Sequence, residues 1–122
     1  MNTTLEQPVK RDSGNYDLLL ERAQELETWC GVDFYNISAN YDRRDHTLTI
    51  FCEFRPTQGP KLKANLFVNV VLYDQDNRII TQKSESVEHK NFFGFRIAKI
   101  DFYYLTTKKM ANIGKIKVYP SR

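Results

Sequence analysis

The sequence predicts a mainly β fold, an antiparallel immunoglobulin-like sandwich of about six to seven strands with one N-terminal amphipathic helix. Three observations predict it. After Asp33 the apolar residues recur mostly at every second position, the period of a half-buried strand. Eight Phe and seven Tyr outnumber the one Trp, and these rings suit pleated surfaces. Turn-forming clusters at Asp42–Asp45, Thr57–Pro60 and Asp74–Asn77 separate the alternating runs. A half-open barrel is the alternative closure of the same strands.

The 122 residues suit one domain and can bury a sizeable core without a metal or disulfide staple. The predicted division is a flexible arm over 1–14, then a single sandwich domain over 15–122, with a helix at 16–30 and the sheet over 33–119. The arm has no apolar period and contains Pro8 and Gly14. In the helix, Leu19, Ala23, Leu26 and Cys30 recur at helical spacing, Leu20 and Trp29 widen the stripe, and Gly31 suits a left-handed cap. Glu25 and Glu27 fall near the C-terminal end of that helix, where the dipole disfavours them.

The strands follow in order. Tyr35, Ile37, Ala39 and Tyr41 are expected on one face of the first. Leu48, Ile50, Cys52 and Phe54 alternate with Thr47, Thr49, Glu53 and Arg55 in the clearest strand, which Pro56 ends. Leu66, Val68, Val70 and Leu72 point inward from the next, while Phe67, Val71 and Tyr73 face outward beneath the helix. Arg78–Val87 is a polar edge strand. Phe93, Phe95 and Ile97 share one parity and Ile100, Phe102 and Tyr104 the other, which predicts a bulge or break near Ala98–Lys99. Leu105–Asn112 is a loop or short helical turn. Ile113–Tyr119 closes the chain, with Ile116 and Val118 inward, Lys115 and Lys117 outward, and Pro120 as the stop.

Val70-Val71-Leu72-Tyr73-Asp74 resembles the signature of the bacterial and archaeal FxLYD-type β-sandwich domains, with Ile79-Ile80 as the β-branched return strand. The resemblance covers roughly Leu66 to Phe95. It departs at Val70, where the family has Phe, and at Glu88-His89-Lys90-Asn91, where the family has a Pro-Gly-Glu turn. What it implies is a sandwich serving as a non-enzymatic binding or structural module.

Charge is segregated along the chain. Residues 1–60 hold six Lys or Arg against ten Asp or Glu, and residues 61–122 hold twelve against five. The basic half is either the solvated face of a sheet or a footprint for an acidic partner. Lys90, Phe92, Arg96, Lys99, Lys115 and Lys117 are the candidate residues for such a surface, because cations interleaved with rings suit single-stranded nucleic acid. Trp29, Tyr35, Tyr41 and Tyr119 are the rings that a carbohydrate or small ligand would use.

No motif points to a catalyst, a metal or a cofactor. His46 and His89 have no second ligand at metal spacing. Asp74-x-Asp76-Asn77 resembles a calcium loop but lacks its Gly and distant Glu. Cys30 with either histidine as base is the one nucleophile pairing, set against a core role for that thiol. No apolar stretch approaches the ~20 residues of a membrane span, and no leader-type segment opens the sequence. The expectation is therefore a cytoplasmic protein-interaction or structural module with reduced cysteines, an unidentified protein partner and no membrane insertion. Binding of an acidic polymer is the alternative.

Overall fold

The two-residue rhythm from Thr47 to Asp74 builds the centres of two sheets. The computed structural model describes residues 11–122. The arm expected over 1–14 falls outside these residues up to Lys10. Its described part is tied down: the Ser13 hydroxyl accepts the Arg43 N–H at 2.8 Å, and Arg43 meets Asp12 at 3.1 Å.

The first sheet contains β1 (Gly14–Asn15), β3 (Val32–Asp42), β4 (Thr47–Pro56) and β7 (Arg96–Phe102), in the order β1-β3-β4-β7. The second contains β2 (Leu20–Arg22), β5 (Leu66–Asp74), β6 (Ile79–Val87) and β8 (Ile113–Ser121), in the order β2-β8-β5-β6. β3–β4 and β5–β6 are antiparallel hairpins, one in each sheet. The pairing is not purely antiparallel as expected, because β2 runs parallel to β8. Inward residues of both sheets share one core, including Phe34, Leu48, Ile50 and Phe54 from the first, and Leu66, Val68, Leu72 and Ile116 from the second.

The inward sets predicted for β4, β5 and β8 are buried as expected. β3 differs. Phe34 is buried and Tyr35 is exposed, the reverse of the expected parity. The register to β4 shifts between Tyr35 and Ser38, and Asn36 adopts φ +49°, a conformation Asn tolerates better than most residues. Beyond that bulge Ala39 and Tyr41 point inward, as predicted.

The helix expected over 16–30 is confined to α1 (Gln24–Cys30). Residues before it make a 3₁₀ turn at Asp17–Leu19 and then β2, so pairing with β8 overrides the local helical pattern. The Asp17 carboxylate accepts the Ala39 N–H at 2.8 Å, which pins the turn to β3. Leu26 and Trp29, expected in the apolar stripe, are exposed. The late start also removes the dipole conflict, since Glu25 and Glu27 now lie in the first turn. Gly31 caps the helix at φ +74°, as its position predicts. The helix packs against β3 and β8 rather than over the outer face of β5.

β6 is an edge strand, as expected. The change of parity expected near Ala98–Lys99 does not occur, because β7 runs without interruption from Arg96 and buries Ala98, Ile100 and Phe102. The short helix α2 (Thr107–Ala111) begins with Thr106 as its cap, whose hydroxyl accepts the Lys109 N–H at 3.3 Å. Pro120 does not stop β8. It lies within the strand opposite Val68, beyond Val118, where β2 ceases to flank it.

Among the described residues, one charged side chain lies in the interior. Glu27 is 2% exposed and receives hydrogen bonds from Arg22 Nε at 2.9 Å, from Arg22 Nη2 and from the Phe34 N–H at 2.9 Å. Arg22 Nη2 also donates to the Phe34 carbonyl at 2.9 Å. The pair thus joins β2, α1 and β3, and the bond to Glu27 raises the Arg22 pKa further above its already high value.

Candidate functional site

Side chains on the outer face of the first sheet stand in rows. Tyr35, Glu53 and Ile97 form one row, because Tyr35 pairs with Glu53 and Glu53 with Ile97. Arg55 follows on β4 opposite Asp33, and Phe95 lies one residue before β7. The Arg55 guanidinium is 5.3 Å from the centre of the Tyr35 ring and 5.6 Å from that of Phe95. Its Nε and Nη2 donate to Glu53 Oε2 at 3.2 and 3.0 Å, and Asn36 Nδ2 donates to Glu53 Oε1 at 3.2 Å. The cation is therefore held between two rings and anchored by a carboxylate.

The rings are open to solvent. Phe93 is 71% exposed, Phe95 55%, Ile97 53% and Tyr35 43%. A group of large apolar side chains on one face is the informative exception on a protein surface. Gly94 produces it. At φ +83° the chain reverses, the Gly94 N–H donates to the Pro60 carbonyl at 2.7 Å, and the Phe95 N–H donates to the Phe93 carbonyl at 3.1 Å.

The parity is the reverse of the expected one, because the inward positions of β7, Ala98, Ile100 and Phe102, continue the even numbering back to Phe92. Phe93 and Phe95 were expected in the core, and Phe92 outside beside Arg96. Instead Phe92 is 4% exposed and stacks on Phe54 with ring centres 5.6 Å apart. The remaining candidates do not assemble into one basic surface. Lys90 is exposed in the 3₁₀ turn His89–Asn91. Arg96 lies 4.0 Å from Glu85, and Lys99 lies 3.9 Å from Asp101 on the outer face of the first sheet. Lys115 and Lys117 belong to the second sheet, where both are half-buried rather than fully exposed. Lys115 lies between Glu21, at 3.7 Å, and the face of Tyr73, at 4.3 Å. Sequence reasoning missed Arg55 and the reversal at Gly94; the glycine between two aromatic residues was the available signal.

A cleft of about 210 Å³ opens at the C-terminal end of α1, between Trp29, Thr57, Lys61, Leu62 and Arg122. Trp29 is 70% exposed, so it does not anchor the helix. Arg122 lies 5.7 Å from the centre of its ring and donates to the Cys30 carbonyl at 3.3 Å, which satisfies the helix end.

Catalytic geometry is not assembled around the groups that the sequence singled out. Cys30 and Cys52 are unpaired and buried, and burial raises both thiol pKa values. His89 Nδ1 is bonded to Asn65 Oδ1 at 2.7 Å rather than to a thiol. The Asp74 carboxylate accepts the N–H groups of Asp76 and Arg78, each at 2.9 Å, so it shapes its own turn. Among the described residues no three of His, Cys, Asp or Glu converge as a metal site would require. No helix among them is long and apolar enough to cross a membrane.

No protein-family model, curated protein or solved structure matches this chain.

Proposed function

We propose that the protein is a non-enzymatic protein-binding module that uses the outer face of its first sheet. The observation that carries this reading is the exposed set Tyr35, Phe95 and Ile97 around an Arg55 already fixed in place. Aromatic residues and Arg dominate the energetic centres of protein interfaces. An anchored guanidinium loses little freedom on docking, so its contacts are not offset by ordering. The partner surface would bring apolar side chains to the rings and an acceptor to the free edge of Arg55.

In this reading the two sheets form an immunoglobulin-like scaffold. Its connectivity departs from an immunoglobulin constant-type domain, where the third and fourth strands lie in opposite sheets, since β3 and β4 share one. The FxLYD-type relationship is part of the proposal and is supported by the roles of its residues. Leu72 is in the core, Tyr73 lies beneath Lys115, and Asp74 closes the turn. Two buried, unpaired thiols support a reducing, cytoplasmic setting.

Single-stranded nucleic acid is the second reading, favoured by the cation between two accessible rings. It is the weaker of the two because Glu53 and Asp101 share that face and repel phosphate. Crosslinking from a photoreactive residue at Ile97, with and without Tyr35→Ala and Phe95→Ala, separates them. A discrete protein adduct lost in the double variant supports the module. A partner captured equally by the double variant, or oligonucleotide binding that weakens steeply with salt, overturns it.

A further inference from the structure

β6 and β7 are the terminal strands on the same side of the two sheets, and their edges are treated unequally. Side chains from β6 cap the edge of β7. Glu85 Oε2 accepts the Lys99 N–H at 3.0 Å, and Lys83 Nζ donates to the Asp101 carbonyl. Nothing among the described residues caps β6 in return. From Ile79 to Ser84 it is wholly exposed, and its outer edge has no partner strand. An open edge of this length is a template for another strand.

We infer that the occupant is β6 of a second copy of this chain, paired antiparallel about a two-fold axis at Ser84. The charge pattern selects that register. Keeping both inner faces on one side requires residues of equal parity to pair, so the axis must pass through a residue. At Ser84, Lys83 faces Glu85 of the second copy and Glu85 faces its Lys83, while Gln82 faces Ser86 and Thr81 faces Val87. An axis at Lys83 or at Glu85 would set two like charges directly against each other, which is unfavourable in a cross-strand pair. Ser84, Gln82 and Ser86 on the outer face introduce neither bulk nor charge. The dimer joins the two second sheets into one continuous sheet and uses none of the residues in the proposed protein-binding face.

Sedimentation equilibrium of the full chain tests the inference. The expected result is a concentration-dependent dimer, weakened at least about tenfold in Lys83→Glu and in Glu85→Lys, because each places like charges in both symmetric pairs. An equimolar mixture of the two variants regains association, since their charges are then opposite at every pair. A wild-type chain that stays monomeric to about 1 mM overturns the inference. So do single variants that dimerise as wild type, or a mixture that stays apart. Because Lys83 and Glu85 also touch β7, a spin label at Ser84→Cys provides a reading that leaves both charges intact. The native thiols are buried and resist labelling. A label-to-label distance below about 20 Å is expected for positions on the axis of adjacent strands, and a longer one refutes this register.

Discussion

Removing Glu27 tests how the interior carboxylate holds three elements together. Glu27→Ala removes the acceptor of both Arg22 bonds and of the Phe34 N–H. Arg22 keeps its bond to the Phe34 carbonyl, and its side chain is 39% exposed, so water recovers part of its solvation. The Phe34 N–H is left buried, a loss of about 1–3 kcal/mol. With the broken ion pair the expected cost is about 3 kcal/mol, at the low end for a buried pair. Arg22→Ala should cost more, about 4 kcal/mol, because the stranded group is then a carboxylate only 2% exposed. The double variant Arg22→Leu with Glu27→Leu strands no charge and should be less destabilised than Arg22→Ala alone. Urea unfolding followed by circular dichroism measures all three at constant m-value. If Glu27→Ala costs under about 1 kcal/mol, or if the double variant is destabilised at least as much as Arg22→Ala, the pair is not the clasp described.

Three further outcomes follow from other parts of the fold. Leu72→Ala should lose about 2–5 kcal/mol in the same assay, since Leu72 is fully buried between the sheets. Burial raises the Cys52 pKa, so the native state favours the neutral thiol; its contribution is complete below the unfolded thiol's pKa of about 8.5 and is lost as pH rises above it. Stability should therefore fall above that pH by up to about 1.4 kcal/mol per unit from this group, and urea titrations at several pH values should show a shallower fall in Cys52→Ala. Gly94→Ala should cost about 1 kcal/mol from backbone strain alone, since an added methyl group meets nothing within 4 Å, and partner crosslinking at Ile97 should weaken with it.

Strands whose side-chain alternation is uninterrupted were legible in the sequence. Leu48 to Phe54 and Leu66 to Leu72 keep one parity from end to end, so each inward residue follows from its neighbour. Asn36 changes the phase of β3 with a single positive-φ residue, so Tyr35 before it faces out while Ala39 and Tyr41 beyond it face in as expected. Phe92, Phe93 and Phe95 were misplaced because the phase was set from the Phe93–Ile97 run, whereas the even positions that β7 buries extend back to Phe92. The Leu19–Cys30 stripe failed differently. Leu20 is claimed by pairing with Ile116 of β8, far along the chain, which local periodicity does not register. Glu27 was missed because burial of an acid depends on a partner, and Arg22 lies near it only once β2 has turned back onto the helix. The candidate face needed Tyr35, Arg55 and Phe95 from three separate segments, so only the strand pairing brings them together.

The position of β8 also governs how the chain can mature. β5 is largely apolar on either side of Asn69, and it becomes an interior strand only when β8, made after the seven strands before it, takes the place alongside. Until then a nascent chain presents Val68, Val70 and Leu72 on an unguarded margin, and β2 has nothing to zip against. Completion should thus be late and all-or-none, and products that terminate before Ile113 should clump rather than form partial domains.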